Sequence, residues 1–138
     1  MSTFTYNNFE KVKYFMTAMG QETPDKVLKP EDKPDITKLR VSLIEEELNE
    51  LKDAVEKNDI VEVVDALADI LYVTYGAGVA WGIDLQTAFN YVHDSNMSKI
   101  CSSSSEALET IQWYKDNKAD VYPEPTYRHD GNGKCVVF

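Results

Sequence analysis

Carboxylates stand in this sequence where a helix would ordinarily bury apolar side chains. They fall between Arg40 and Tyr75, in the stretch RVSLIEEELNELKDAVEKNDIVEVVDALADILYVTY. At about 100° of turn per residue, Glu45, Asn49, Lys52, Asp53 and Glu56 group around Glu46 on one wide arc that reads as solvated. Leu43, Ile44, Leu48, Leu51, Ala54 and Val55 fill the opposite arc, which should face a core. Glu47 and Glu50 lie inside that apolar arc, and Glu46 sits at its edge. Beyond the polar break Lys57-Asn58-Asp59, residues Ile60 to Val79 are apolar on nearly every side, the pattern of a buried helix. Glu62, Asp65 and Asp69 nevertheless share one stripe of that helix, within roughly 60° of each other.

Burying unpartnered carboxylates costs several kcal/mol each or forces protonation. Basic partners are scarce here, with only Arg40, Lys52 and Lys57 in the stretch. A divalent cation is the other remedy, and a set of oxygen ligands suits Mg²⁺ or Mn²⁺ rather than zinc. Helix bundles build such sites from carboxylates that project inward from facing helices. The competing account, a plain charged face, serves the first segment alone far better than the two together. Asp59 three residues ahead of Glu62 also resembles a capping box, which would give Glu62 a competing bond to backbone.

The elements that must hold these residues read as helices. Thr5 to Gly20 forms a first one, capped by Asn7 or Asn8, with Phe9, Val12, Phe15, Met16 and Met19 as a core stripe whose last turn could alternatively stack on a base. Gln21 to Asp35, with Pro24, Pro30 and Pro34, is a loop. Asp35 caps a second helix, Ile36 to Lys57, and Asp59 a third from Ile60. Gly76, Gly78 and Gly82 allow close packing at the third helix's end. Asp84 caps a fourth helix from Leu85 to about Ile100, and Ser102–Ser105 precede a short fifth one, Glu106 to Asn117. The expected fold is all-α, a four-to-five-helix bundle in one domain over residues 1–138, with an extended, irregular tail over 118–138 that ends in a small hairpin. Asn96 and Lys99 share a face near the end of the fourth helix and could meet a phosphate. From spacing alone, a Lys favoured by the helix dipole and a capping Asn account for the pair slightly better. His93 has no second His or Cys near it and reads as structural.

The totals narrow the function classes. The 138 residues suffice for one real core, and 43% are hydrophobic. A net charge of −10 argues against holding duplex nucleic acid or an anionic membrane. Cys101 and Cys135 form no metal-type spacing, which suits a reducing compartment. The start of the chain lacks a signal-peptide pattern, so a cytoplasmic location is expected. The apolar third helix has nearly the length of a membrane span, but its three acids argue against one. Neither GxxxxGK[ST] nor GxGxxG occurs.

Together these residues resemble the all-α nucleoside triphosphate pyrophosphohydrolase superfamily, the MazG-like and phosphoribosyl-ATP pyrophosphohydrolase-like proteins. Its paired motifs, ExxE and ExxD, correspond to Glu47-Leu48-Asn49-Glu50, preceded by Glu46, and Glu62-Val63-Val64-Asp65. Asp65-Ala66-Leu67-Ala68-Asp69, Asn96-Met97-Ser98-Lys99 and Tyr127-Arg128 with Asp130-Gly131 extend the likeness. The gap between the motifs is short for the family, and the serine run after Lys99 departs from its pattern. The resemblance implies Mg²⁺-dependent hydrolysis of a nucleoside triphosphate to monophosphate and pyrophosphate, with Mn²⁺ as a possible substitute. It assigns Glu47, Glu50, Glu62 and Asp65 to one or two metal ions, with Asp69 as a further ligand or an acceptor behind them. Glu46 would orient or deprotonate the water, Lys99 and Arg128 would stabilise phosphate charge, and Asn96 would contact substrate. Contacts to the base and sugar are expected from the loop Gln21 to Asp35, Gln21 among them, and from aromatic rings. A homodimer or homotetramer is implied as well. Three other readings remain open at this point: phosphoribosyl-ATP hydrolysis in histidine biosynthesis, a metal-dependent nucleotide-binding module without turnover, and a structural helical oligomer. For the base, a pyrimidine or non-canonical deoxynucleotide is expected.

Overall fold

Three helices punctuated by glycine and proline open the chain. The structure, a computed structural model, describes residues 5–138. Helix α1 runs Asn8–Ala18, α2 Pro34–Glu56, α3 Ile60–Ala80, α4 Leu85–Met97 and α5 Ser104–Asn117. The short strands are β1 Ile100–Cys101, β2 Tyr127–His129 and β3 Cys135–Val137. The all-α expectation holds, with little strand. The residues expected to form one bundle with an irregular tail divide into two compact units, 1–86 and 87–138.

In the first unit, Asn7 caps α1 by accepting from the Glu10 N–H at 2.8 Å, so the helix starts later than expected from Thr5. Helix α2 begins at Pro34, whose missing N–H and fixed φ suit a first helical turn. The expected cap, Asp35, therefore sits inside that turn, where its charge complements the dipole. Asn58, at φ 54°, makes the left-handed turn from α2 into α3 that an Asn side chain tolerates. Asp59 then caps α3, accepting from Val61 N at 3.1 Å and Glu62 N at 3.2 Å. Its own N–H donates to Ala54 O at 3.0 Å. The reciprocal half of a capping box is thus taken by backbone, and Glu62 is released from that duty.

Helix α3 packs against both α1 and α2. Val12, Met16, Val79 and Ala80 form the core there, joined by Phe9, Ile36 and Tyr75. The loop after α1 folds over the end of α3. Leu28 N donates to Trp81 O at 2.8 Å, and Trp81 Nε1 donates to Thr37 Oγ1 at 3.1 Å. Gly82, at φ +69°, passes so close that a Cβ there would lie 2.0 Å from Lys26 O.

One expectation is corrected. Helix α3 was to be buried on nearly every side, yet Ile60 is 72% exposed and Val64 61%. Gly76 to Ala80 are the long buried run, with Ala66 the other buried position on the helix. The cause is simple geometry: α1 and α2 cannot cover every face of a 21-residue helix. By length and composition alone α3 could cross a membrane, though its C-terminal part packs within the unit.

In the second unit, α5 packs on a three-stranded antiparallel sheet of order β1-β3-β2. Cys101, Ala107, Ile111, Tyr114, Cys135 and Val137 form its core. Ser103 caps α5 by accepting from Glu106 N at 3.2 Å, and Glu106 reaches back to Ser102 N at 3.1 Å. The tail hairpin turns on Asp130, whose Oδ1 accepts from Asn132 N at 2.7 Å and Lys134 N at 3.1 Å. Strand β1 falls where the fourth helix was expected to continue, since two residues show no alternation to read. The free thiols Cys101 and Cys135 face each other across β1 and β3, and His129 Nδ1 lies 3.5 Å from Cys135 Sγ. Helix α4 has no buried residue, and His93 on it is exposed.

Candidate functional site

The α2–α3 hairpin fixes which acids meet. Glu47 lies 58 − 47 = 11 residues before Asn58 and Asp69 lies 69 − 58 = 11 after it, so an antiparallel pair of helices sets them opposite one another. Glu50 follows Glu47 by one helical step of three, on the same face. Among the described residues, Glu47, Glu50 and Asp69 form a group whose ligand oxygens all lie within 4.8 Å of one another.

Glu62 and Asp65 fall outside that group and are exposed. They sit 4 and 7 residues past Asn58, level with Ala54 and Leu51 rather than with the acids of α2. The short gap between the two motifs has this consequence: it places the ExxD acids close to the turn and brings Asp69 into register instead. Glu46 is exposed on α2, beside the cluster.

The cluster is electrostatically strained. Glu47 Oε2 is buried and has no hydrogen-bond partner. Desolvation is the largest influence holding the Glu47 carboxyl above its ordinary value. The charges of Glu50 and Asp69, a hydrogen bond with Glu50 and the charge of Glu46 add to it, in that order. Among the described residues, no basic side chain is among the influences on the Glu47 carboxyl. Three hard oxygen donors with an orphaned buried oxygen fit a small divalent cation of the Mg²⁺ or Mn²⁺ type.

A second polar feature lies on the same stripe of α2. Ile36, Arg40, Leu43, Glu47 and Glu50 follow at steps of four and three, which keeps them on one face. Arg40 Nη2 donates to Gln21 Oε1 at 3.1 Å, while its Nε is buried without a partner. Burial pulls the guanidinium below its ordinary pKa. Gly76 gives it room: a Cβ there would stand 2.9 Å from Arg40 Nη1. Sequence reasoning counted Arg40 only as a scarce cation, although its spacing of seven from Glu47 was the signal that places it on the acidic stripe.

The remaining expected residues belong to the second unit. Lys99 Nζ donates to Asn96 Oδ1 at 3.2 Å and to Tyr122 Oη at 3.1 Å, and lies 5.1 Å from the centre of the Tyr122 ring. The expected Asn96–Lys99 proximity is thus present, with Tyr122 as an unforeseen third member. Arg128 stacks over Phe138, 5.5 Å from its centre.

Comparison with known proteins adds two findings. The sequence model of the family described as "Phosphoribosyl-ATP pyrophosphohydrolase" matches residues 12–96, more than half of the chain. The chain is also similar to "Uncharacterized protein L479" of Acanthamoeba polyphaga mimivirus, at 51% identity over 55 residues. That match takes in 40% of this chain and spans 22% of the length of the mimivirus protein.

Proposed function

The chain belongs to the phosphoribosyl-ATP pyrophosphohydrolase family, within the all-α nucleoside triphosphate pyrophosphohydrolase superfamily, and on that premise we propose that it hydrolyses a nucleoside triphosphate to monophosphate and pyrophosphate. The observation that supports this most is the Glu47–Glu50–Asp69 group with its orphaned oxygen. In this reading those three side chains hold Mg²⁺, with Mn²⁺ as a substitute. The bound ion would neutralise phosphoryl charge and lower the pKa of a water. Glu46, exposed beside the group, orients or deprotonates the attacking water. The water oxygen bonds to the α-phosphorus, the α–β anhydride bond breaks, and pyrophosphate departs with its electron pair. Glu62 and Asp65, nearer the turn, are available to a second ion.

A homodimer or homotetramer is part of the proposal. Ile60, Val64, Leu67 and Leu71 are 48–72% exposed and repeat at steps of four, three and four along α3. That apolar stripe suits a second copy better than water, and it uses the helix's apolar length on protein rather than lipid. The second substrate reading is phosphoribosyl-ATP itself, which the family's description favours.

The test is pyrophosphate release from a panel of ribo- and deoxynucleoside triphosphates and phosphoribosyl-ATP, with Mg²⁺, Mn²⁺ or EDTA. Metal-dependent release with a monophosphate co-product, reduced at least about 100-fold in Glu50→Gln, is expected. Metal-independent release, or none on any substrate, would refute the assignment.

A further inference from the structure

A cleft of about 350 Å³ opens in the first unit, lined by Gln21, Glu22, Lys33, Ile36, Leu39, Arg40, Leu43 and Ala80. Its α2 residues continue directly into the carboxylate cluster. Arg40 precedes Glu47 by seven residues, a rise of about 10 Å along the same face. The far edge of a nucleotide's base stands off from its α-phosphate by a comparable span.

The lining suggests which end of a nucleotide enters. Ile36, Leu39, Leu43 and Ala80 supply apolar wall, as a flat ring requires. Of the cleft's two cations, Lys33 is engaged by Glu22, whose carboxylate opposes a phosphate, and Arg40 stands among the apolar side chains. The polar groups facing the ring are unequal in kind. Arg40 has donors only, and its Nε lacks an acceptor. Since Arg40 can only donate to Gln21, the atom receiving that bond is the Gln21 carbonyl oxygen, which leaves the Gln21 amide as a further donor. The cleft therefore offers unpaired N–H groups, while its acceptors, the Gln21 carbonyl and the Glu22 carboxylate, are already engaged by Arg40 and Lys33.

Building on the hydrolase reading, we propose that this cleft is the base site and that Arg40 with Gln21 selects nucleotides whose base carries a ring carbonyl over those carrying an exocyclic amine in its place. Uracil, thymine, guanine and hypoxanthine satisfy a donor-rich edge. Cytosine and adenine turn an amino group towards it and leave Arg40 Nε unpaired. An unpaired buried donor is the stronger penalty, so discrimination arises mainly by rejection. Phosphoribosyl-ATP, an adenine compound, is disfavoured by the same logic.

The experiment compares pairs that differ at this one position, dUTP with dCTP and dITP with dATP. kcat/KM is measured for wild type, Arg40→Met and the isosteric Gln21→Glu, which exchanges the amide donor for an acceptor. Wild type should favour the carbonyl member of each pair by about 10- to 100-fold. That ratio should fall towards one in Arg40→Met and fall or invert in Gln21→Glu. Gln21 is exposed, so its variant keeps the test valid even where Arg40→Met fails to fold. Equal use of both members by wild type, a preference for the amino member, or an unchanged ratio in Gln21→Glu would overturn the proposal. Hydrolysis of phosphoribosyl-ATP but of none of the four would overturn the base proposal alone, whereas hydrolysis of no substrate in the full panel would fail the hydrolase reading by itself. Calorimetric binding of dUMP against dCMP then decides the base site: tighter dUMP upholds it, and equal or absent binding overturns it.

Discussion

Replacing Glu47 by Gln should make the metal-free protein more stable while removing its response to Mg²⁺. The ligand oxygens of Glu47, Glu50 and Asp69 lie within 4.8 Å of each other. At that separation two unit charges repel by about 1 kcal/mol in water and by about 3.5 kcal/mol at an effective dielectric of 20. Glu50 is exposed, so the water limit is the better guide. Two such pairs involve Glu47, and relief of about 1 to 2 kcal/mol is expected on neutralising it. The amide also ends the burial of a charged, unpartnered oxygen.

The pH dependence follows from the raised Glu47 value. Between the unfolded chain's ordinary pKa and the folded one, the unfolded chain is ionised while the folded chain keeps its proton. Folding then takes up a proton, so stability falls as pH rises through that window and stays lowered above it. Glu47→Gln should flatten this slope. With Mg²⁺ at one hundred times its Kd, wild type should gain about 2.7 kcal/mol. The gain should shrink as pH drops, because protons compete for the ligands. Urea melts at several pH values, with Mg²⁺ or EDTA, measure all of this. A Glu47→Gln protein that is less stable in EDTA, or that still gains fully from Mg²⁺, would refute the reasoning.

Two further outcomes bear on the elements that carry the site. Asp59→Ala removes the acceptor for Val61 N and Glu62 N and should cost about 1 kcal/mol in a urea melt, with faster amide exchange confined to the first turn of α3. Val64→Glu places a charge on the exposed stripe of α3 and should convert the assembly to monomer by light scattering, whereas a protein monomeric before the change would dismiss the interface.

Much of the helical structure was legible because its signals are local. Asn7, Asp59 and Ser103 cap helices through bonds spanning two or three residues, and Asn58 marks the turn between α2 and α3. The carboxylates were legible as a set because apolar neighbours made them conspicuous. Their grouping was not, since it depends on a count from Asn58 on both helices rather than on either motif. The ExxD pattern drew attention to Glu62 and Asp65, while register brings Asp69 to Glu47 and Glu50. Exposure of α3 escaped the periodicity because an apolar helix looks alike whether its cover comes from its own chain or from another. Strand β1 and the alignment of Cys101, Cys135 and His129 escaped it because strand pairing joins residues far apart in sequence.

The charges suggest why one stripe of α2 carries both polar features. The chain bears a net charge of −10, and its proposed substrate is itself polyanionic. Their approach is opposed at long range, so a nucleotide would have to arrive with its own cation or meet one already held by the acids. A cation at Glu47 and Glu50 attracts every nucleoside triphosphate alike, since all share the same phosphates. Discrimination must therefore come from groups that reach past the phosphates. On the acidic stripe of α2, from Ile36 to Glu50, Arg40 is the one basic side chain, and Gly76 and Gln21 hold it in place. On this proposal affinity and selectivity would be separated by two turns of a single helix, and a change at one end need not disturb the other.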